Sequence, residues 1–521
     1  MSNPTLQFIS NPSNEGEGLS DAGVETFRDR PYFSVAREAG QNSRDAQADV
    51  NQPVKMVFKE HLIDTRDFPS HDEYLKVINL CLNKSTLSEK EKSFFENAKQ
   101  LLSKPKVKVL EISDSNTVGV EGPCEEGKPF YAFAKADGVS QNRVDTSGGS
   151  FGIGKNAAYS ASDLQSVFIS TKYKTEDDTQ FLCIGKSLFV SHTGADGQPK
   201  RRKGYWSNEN FMPIDDENQV PTWLRRESIG TSIFILCMRD ESWVDEVCSA
   251  ILINFFVAIH KNKMDFEIKP LDGSSITLNT NTLGQHIEDL FSKREDLEMV
   301  AEIERVHNLY KVLQSPNTQN VEVSSGNPKI KMALQILVDS NLNNEIGIFR
   351  NEMYITHNFK NFDQPYTRFP LCKKFAAILQ PVTEETKKLL RKTEGPRHDD
   401  FSSDRILDPQ DRSQAKATIS KLAKEIREQI KALTKYERIS HNSINELNRF
   451  FDPSVDTDTE GQAIDDSPNP GEASEIRRKS LEQKKKTHPD PTGSQTGPTS
   501  ENKGKGEGKG RRMSGEDTGG G

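Results

Sequence analysis

The chain of 521 residues lacks the features that mark secreted, membrane-spanning or zinc-binding proteins. Its six cysteines are scattered and none forms a CxxC pair, so neither a disulfide framework nor a zinc cluster is indicated. The longest apolar run, near residues 244–259, is too short and too interrupted to span a bilayer. The first residues contain no basic start followed by an apolar stretch, so we expect no signal peptide. We therefore expect a cytoplasmic protein with no membrane partner.

Aromatic residues stop at Phe451, and apolar residues make up only 33% of the chain. Residues 452–521 are rich in Gly, Pro, Ser and charged residues. Such a composition cannot bury enough apolar area to offset the loss of chain entropy, so we predict a disordered tail there. The net charge of -9 argues against a protein that coats nucleic acid with its whole surface, although a local basic patch stays open.

The length corresponds to about three domains at roughly 150 residues each. We predict an α/β protein with a polar N-terminal arm (1–25), a larger α/β body (26–270), a smaller one (271–410) and a helical segment (411–451). Period-two alternation predicts strands, and apolar spacing of three and four predicts helices. The predicted strands are 107–113, 166–172, 182–191, 232–238, 264–268, 330–339, 346–350 and 373–379, and the predicted helices are 33–48, 242–260 and 413–436.

Three polar side chains fall on one face of the first predicted helix. Glu38, Asn42 and Asp45 are spaced four and three residues apart. The amide oxygen of an asparagine can ligate a hard cation such as Mg²⁺, and a carboxylate can activate water. The pattern is compatible with metal-assisted hydrolysis, but polar residues at this spacing usually form an ordinary solvated helix face.

Two further short stretches are associated with strands. Asp114 ends a predicted strand and is followed by a turn-forming stretch that reaches Gly119. Its carboxylate could accept a hydrogen bond from the amino group of a base, or it could simply begin a turn. The pair Gly230-Thr231 opens another apolar strand and by itself indicates no more than that.

Residues 148–154 contain four glycines, and Lys155 follows them directly. Glycines let the backbone approach phosphates closely, and a following helix would offer its N-terminal amides. Residues 149–155 also fit the GxxxxGK core of a P-loop. However, Asn156 stands where a P-loop needs Ser or Thr, and the preceding residues 139–147 are polar rather than an apolar strand. The stretch therefore favours a phosphate site of another type.

Together and in this order, the four segments resemble the motifs of the GHKL ATPase superfamily of gyrase-type topoisomerases, heat-shock chaperones, histidine kinases and MutL proteins. The helix segment 38–46 is similar to the N-box, and residues 114–119 look like the first glycine box. Residues 149–155 look like the second, and Gly230-Thr231 like the last. In the usual first box, DxGxG, the first glycine is replaced here by Asn116, and Gly119 lies one residue late.

The resemblance covers residues 25–270 and is closest to bacterial MORC-like ATPases, on residues 41–46, 114–119 and 394–399. It implies an ATP-binding α/β sandwich of the Bergerat type, followed by a transducer-like α/β domain, with ATP and Mg²⁺ bound. The implied roles are general base for Glu38, Mg²⁺ ligand for Asn42, adenine anchor for Asp114, first glycine box for Gly119, phosphate binding for Gly149, Gly152, Gly154 and Lys155, and base-pocket lining for Thr231. A phosphate-sensing basic residue is expected from the second body, where Arg350, Lys373 and Lys374 are candidates.

The principal hypothesis is an ATP-gated switch that hydrolyses ATP slowly, dimerises on ATP, and works with DNA or a partner subunit. Such proteins are often encoded with bacterial DNA-processing or anti-phage defence genes. The alternatives are a chaperone-like or scaffold ATPase that remodels a protein partner, and a module that binds nucleotide without hydrolysis. A basic groove in the second body would favour DNA, and an exposed apolar patch would favour protein clients.

Overall fold

A large mixed sheet forms the centre of the first body. The computed structural model describes residues 3–136, 156–239, 242–297, 299–395 and 399–436. The strands of this sheet are β1 (Thr5–Ser10), β2 (Val54–Asp64), β3 (Lys106–Ser115), β4 (Ser166–Lys174), β5 (Thr179–Leu188), β6 (His192–Thr193), β7 (Pro199–Ser207), β8 (Gly230–Leu236), β9 (Met264–Lys269) and β10 (Ile276–Leu278). Their order is β1-β7-β5-β4-β8-β3-β2-β9-β10, with β6 paired to β7. Strands β2 and β9 run parallel, and the other neighbours run antiparallel.

Helices cover both faces of this sheet. One face carries α1 (Ala22–Glu25), α2 (Pro31–Asp45), α5 (Pro129–Ala134), α6 (Ala157–Ser160) and α7 (Trp243–His260). The other face carries α3 (His71–Leu82) and α4 (Glu89–Leu102). Successive side chains of β3 point to opposite faces of the sheet. Leu110 and Ile112 therefore pack with the first set of helices, and Val109 packs with the second. Both helical layers pack on β3, which carries Asp114 near its end.

Helix α2 begins at Pro31, whose missing N–H and fixed φ suit the first helical position. It packs against α7, which is apolar on nearly all sides. Among the described residues, α7 is the one helix long and apolar enough to cross a membrane, and 72% of it is buried inside the protein. Its apolar surface is thus used in the core of this fold.

The second body is built on a five-stranded sheet. Its strands are β11 (Gln319–Ser324), β12 (Lys331–Val338), β13 (Glu345–Arg350), β14 (Met353–Thr356) and β15 (Phe375–Pro381), and its helices are α8 (Leu283–Ser292), α9 (Val300–Gln314), α10 (Glu384–Thr393) and α11 (Pro409–Thr434). The order is β11-β12-β15-β13-β14, parallel only between β13 and β15. Helix α9 packs on β12, β13 and β15, and α11 packs on β11 and β12. The apolar core runs without a break from α2 and α7 into this body.

The predicted α/β class is confirmed, and each predicted strand and helix overlaps an observed one. One difference lies in the N-terminal arm predicted for 1–25, where Thr5–Ser10 form the edge strand β1, paired to β7. Leu6 and Phe8 of this strand are buried in the core. Two alternating apolar residues between polar neighbours are too short a pattern to predict a strand. The boundaries at 26–270 and 271–410 stay predictions. The predicted tail and the end of the helical segment, residues 437–521, lie outside the described residues.

Candidate functional site

Three donors from three segments converge on the carboxylate of Asp114, at the end of β3. The Ser43 hydroxyl donates to Oδ2 at 2.8 Å, and the Thr117 hydroxyl donates to Oδ1 at 2.7 Å. The backbone N–H of Thr231 also donates to Oδ1, at 2.7 Å. An ionised carboxylate has about four acceptor positions, so one remains for a donor from a ligand.

The chain passes so closely around Asp114 that two positions require glycine. Gly119 has φ +72°, and a Cβ there would lie 2.5 Å from the carbonyl oxygen of Lys172. Gly230 has φ +137°, and its Cβ would lie 2.5 Å from the carbonyl oxygen of Asp114. Both positions combine left-handed backbone with a hard contact, so any side chain would push the surrounding strand ends apart.

Asn116 lies in the turn after β3, two residues beyond Asp114. Its backbone is left-handed, with φ 57°, which asparagine tolerates better than most residues. Its side-chain amide donates to the carbonyl oxygens of Asp49 and Gln52 at 3.0 and 2.9 Å, and its side-chain oxygen accepts from the N–H of Asp49 at 3.0 Å. Asn116 thus adopts a backbone conformation that favours glycine and also holds the loop that follows α2.

A pocket of about 70 Å³, partly open to solvent, lies beside Asp114. That volume is below the roughly 300–1,000 Å³ common for small-molecule sites, so the pocket would take only one end of a larger ligand. Its walls are mainly apolar, and they include the hydrogen-bonded group formed by Ser43, Thr117 and Thr231 with Asp114. The lining residues are Ala39, Asn42, Ser43, Ala46, Met56, Ile112, Ser113, Asp114, Thr117, Gly119, Val120, Phe133, Thr231 and Ile233. This arrangement suits a flat apolar ring that carries a hydrogen-bond donor at its edge.

A largely buried polar network holds the backbone of Asp114. Arg226 donates to the carbonyl oxygen of Asp114 at 2.6 Å and to the Ser232 hydroxyl at 2.6 Å. Ser232 in turn donates to Glu111 at 3.1 Å, and Glu111 contacts His61 at 2.8 Å. Burial lowers the pKa of Arg226, and the charges of Asp114 and Glu111 oppose that shift. No motif indicated Arg226, whereas Ser43 and Thr117 lie within the motifs of the sequence and were overlooked.

The structure brings four of the predicted site residues to one pocket: Asn42, Asp114, Gly119 and Thr231. Glu38 lies one turn before Asn42 on α2, is only 8% exposed, and is not among the lining residues. The predictions for Gly149, Gly152, Gly154 and Lys155 concern residues outside the described part of the chain.

The three basic candidates of the second body differ in their surroundings. Arg350 is 1% exposed and forms an ion pair with Glu394, with Nη2 and Oε1 at 3.2 Å. Burial alone would lower the pKa of Arg350, but the carboxylates of Glu394 and Asp45 hold it above its ordinary value. Lys373 and Lys374 are exposed. The charge of Arg350 is therefore already paired with the Glu394 carboxylate inside the protein.

The donor groups present suit a hard cation shared with a ligand. Among the described residues, no cluster of three or more His, Cys, Asp or Glu could hold a metal ion alone. Mg²⁺ commonly binds through one or two side-chain oxygens together with waters and substrate phosphates. The exposed amide of Asn42, at the mouth of the pocket, fits that mode of binding.

No model of a known protein family matches the chain, and no curated protein does. Among solved structures, the chain is similar to the B subunit of the DNA gyrase from Myxococcus xanthus. The TM-score is 0.32 and the identity 11%, with 79% of this chain and 94% of that chain covered. At this TM-score the likeness assigns no role to any residue.

Proposed function

We propose that this chain is an ATPase of the GHKL type that binds ATP in the pocket beside Asp114. The observation that carries the proposal is the free acceptor position on Asp114 in the wall of a mainly apolar pocket. Adenine presents an amino group that could donate to this position. Guanine would present a carbonyl oxygen at the corresponding edge, which a carboxylate repels. The same pocket is lined by residues of the motifs on α2, β3 and β8, as the resemblance to the GHKL motifs implies.

Hydrolysis is assigned to the helix that borders the pocket. Glu38 and Asn42 stand one turn apart on α2, and Asn42 faces the mouth of the pocket. The carboxylate of Glu38 would take a proton from the attacking water. Asn42 would hold Mg²⁺, which would neutralise charge on the phosphates. Gly149, Gly152, Gly154 and Lys155 would bind the phosphates through backbone amides and one positive charge.

The proposal extends to an ATP-dependent switch that dimerises in its ATP-bound state and acts in the cytoplasm with DNA or a protein subunit. Its support is the order of the four motifs and their MORC-like form, which is found in bacterial DNA-processing and defence systems. The second body, whose core is continuous with α2 and α7, would transmit the nucleotide state.

Calorimetric titration tests the proposal directly. The full chain should bind ATP and ADP with Mg²⁺, bind GTP more weakly, and release phosphate slowly from ATP. Ethylenediaminetetraacetate should stop phosphate release but leave part of the ATP affinity, because the adenine contacts do not depend on the metal. A folded chain that binds no adenine nucleotide would refute the proposal.

A further inference from the structure

The turn between β13 and β14 touches the last turn of α2. Asn351 and Glu352 form this turn with φ 47° and 61°, the left-handed pair typical of a two-residue hairpin loop. Glu352 accepts from the guanidinium of Arg44 at 2.6 Å, and the side-chain amide of Asn351 donates to Asp45 at 2.8 Å. We call residues 350–353 the hairpin tip.

These contacts are shielded from solvent. The side chains of Arg44 and Glu352 are 15% and 21% exposed, so their ion pair is screened less than a surface pair. Arg44 also donates to the side-chain oxygen of Gln47 at 2.8 Å. Gln47 forms a backbone bridge with Thr117, whose hydroxyl holds Asp114. A short path of contacts therefore leads from Glu352 to the carboxylate in the pocket.

The base of the hairpin tip is fixed from the other side. Arg350 is buried against Glu394, which follows α10, and the Asp45 carboxylate also acts on its charge. The Glu352 carboxylate also interacts electrostatically with Lys261, whose ammonium donates to the side-chain oxygen of Gln380 on β15 at 2.5 Å. The hairpin tip is thus held firmly enough by the second body to act as a support.

The last turn of α2 has the pocket on one side and the hairpin tip on the other. Asn42, Ser43 and Ala46 line the pocket, while Arg44 and Asp45 contact the tip. We propose that Asn351 and Glu352 are positioning residues of the nucleotide site. They fix the rotation of this turn, so that Ser43 reaches Asp114 and Asn42 faces the phosphates. This inference rests on the proposed function.

The coupling runs in both directions. If the hairpin tip stabilises the binding-competent turn, nucleotide that binds there must stabilise the tip contacts by the same free energy. The second body is then part of the nucleotide site rather than an appended domain, and residues that never touch nucleotide affect its turnover.

A charge exchange in the full chain tests the inference. Arg44→Glu and Glu352→Arg should each lower kcat/KM for ATP about tenfold, the scale expected for contacting residues. The double exchange should restore most of the loss, because the pair is rebuilt with opposite polarity. Glu352→Gln keeps the shape of the side chain but removes its charge. Its kcat/KM should lie between those of wild type and of the Glu352→Arg variant. Lys431→Ala, which breaks an exposed pair with Glu428 on α11, is the matched control and should behave as wild type.

Melting temperature and hydrogen exchange of residues 40–47 should be measured on each variant. Loss of protection there in Glu352→Gln, with an unchanged melting temperature, supports a positioning role. This inference alone would be overturned if wild type were active and the single variants had the same kcat/KM. It would also be overturned if the fold loss in the double exchange equalled the product of the two single fold losses. Wild-type protein that binds no ATP would instead overturn the proposed function beneath it.

Discussion

At the scale of single residues, Asp114 shows how few groups define the site. Its two oxygens take donors from α2, from the turn after β3 and from β8, so one side chain joins three segments. Each of those donors is buried or half-buried, and each would be left without its partner if the carboxylate were lost. Substitutions here therefore affect ligand binding and local order together.

Asp114→Asn should weaken ATP binding and reduce the preference for adenine over guanine. The amide keeps the shape but replaces an acceptor by a donor, which costs about 1–3 kcal/mol for a buried group left unpaired. Calorimetry with ATP and GTP measures both effects. Asp177→Asn, in the exposed turn between β4 and β5, is the control. Unchanged ATP affinity in a folded Asp114→Asn chain would remove Asp114 from the base site.

Glu38→Gln should abolish ATP hydrolysis and leave ATP affinity within a few-fold. The assigned role of this carboxylate is to take the proton from water, while the base and phosphates are held by other residues. Phosphate release and calorimetry on the same preparation separate the two effects. Because Glu38 is buried, its melting curve should be recorded too. Lost binding in a well-folded variant would contradict the role of general base.

At the scale of elements, the local patterns did not show that the motifs meet, and only the family resemblance implied a single site. The glycines and Asp114 are visible as local patterns. The antiparallel pairing of β3 with β8, in which Ser113 faces Ser232, brings Thr231 to Asp114 across more than a hundred residues. Nothing in the local pattern of either strand specifies its partner. Arg226 was missed for the same reason, since its role depends on that pairing.

Gly119→Ala should be far more damaging than Gly127→Ala. Both glycines have left-handed backbone, so both substitutions carry a strain of about 1–2 kcal/mol. Only at Gly119 would the new Cβ also strike the Lys172 carbonyl oxygen, whereas nothing lies within 4 Å at Gly127. Denaturant unfolding and ATP titration of both variants isolate the effect of the close contact. Equal losses would mean that the first glycine box is not closely packed.

At the scale of the whole molecule, composition and periodicity predicted the α/β class, since apolar strand segments such as β4 and β12 are explicit in the sequence. They did not predict β1, β2, α3 or α4. Strand β2 carries charged residues such as Lys59 and Glu60 between its apolar ones, and β1 is short and surrounded by Asn, Ser and Gly. Long-range pairing and helix cover stabilise these segments, and neither leaves a strong local pattern.

With a non-hydrolysable ATP analogue, the chain should form a closed dimer. With ADP, it should be a monomer or an open dimer. Only the γ-phosphate distinguishes the two nucleotides, so contacts to that phosphate must supply the free energy that shifts the equilibrium. Mass alone is ambiguous, because α11 could provide a constitutive contact. Hydrogen exchange of residues 1–30 and 146–156 in the two nucleotide states is the sharper measurement.

The pairing of β1 with β7 makes that measurement more specific. An arm that crossed to a second subunit from residue 1 would have to break these contacts, which run from Thr5 to Ser10 within the chain. We therefore expect residues 5–10 to be equally protected in both states, while residues 11–30 and 146–156 gain protection with the analogue only. Asp114→Asn, which should bind the analogue weakly, is the control and should show no gain at equal nucleotide concentration. Equal protection of 146–156 with ADP and with the analogue would mean that ATP is a structural ligand, because no step would then depend on the γ-phosphate.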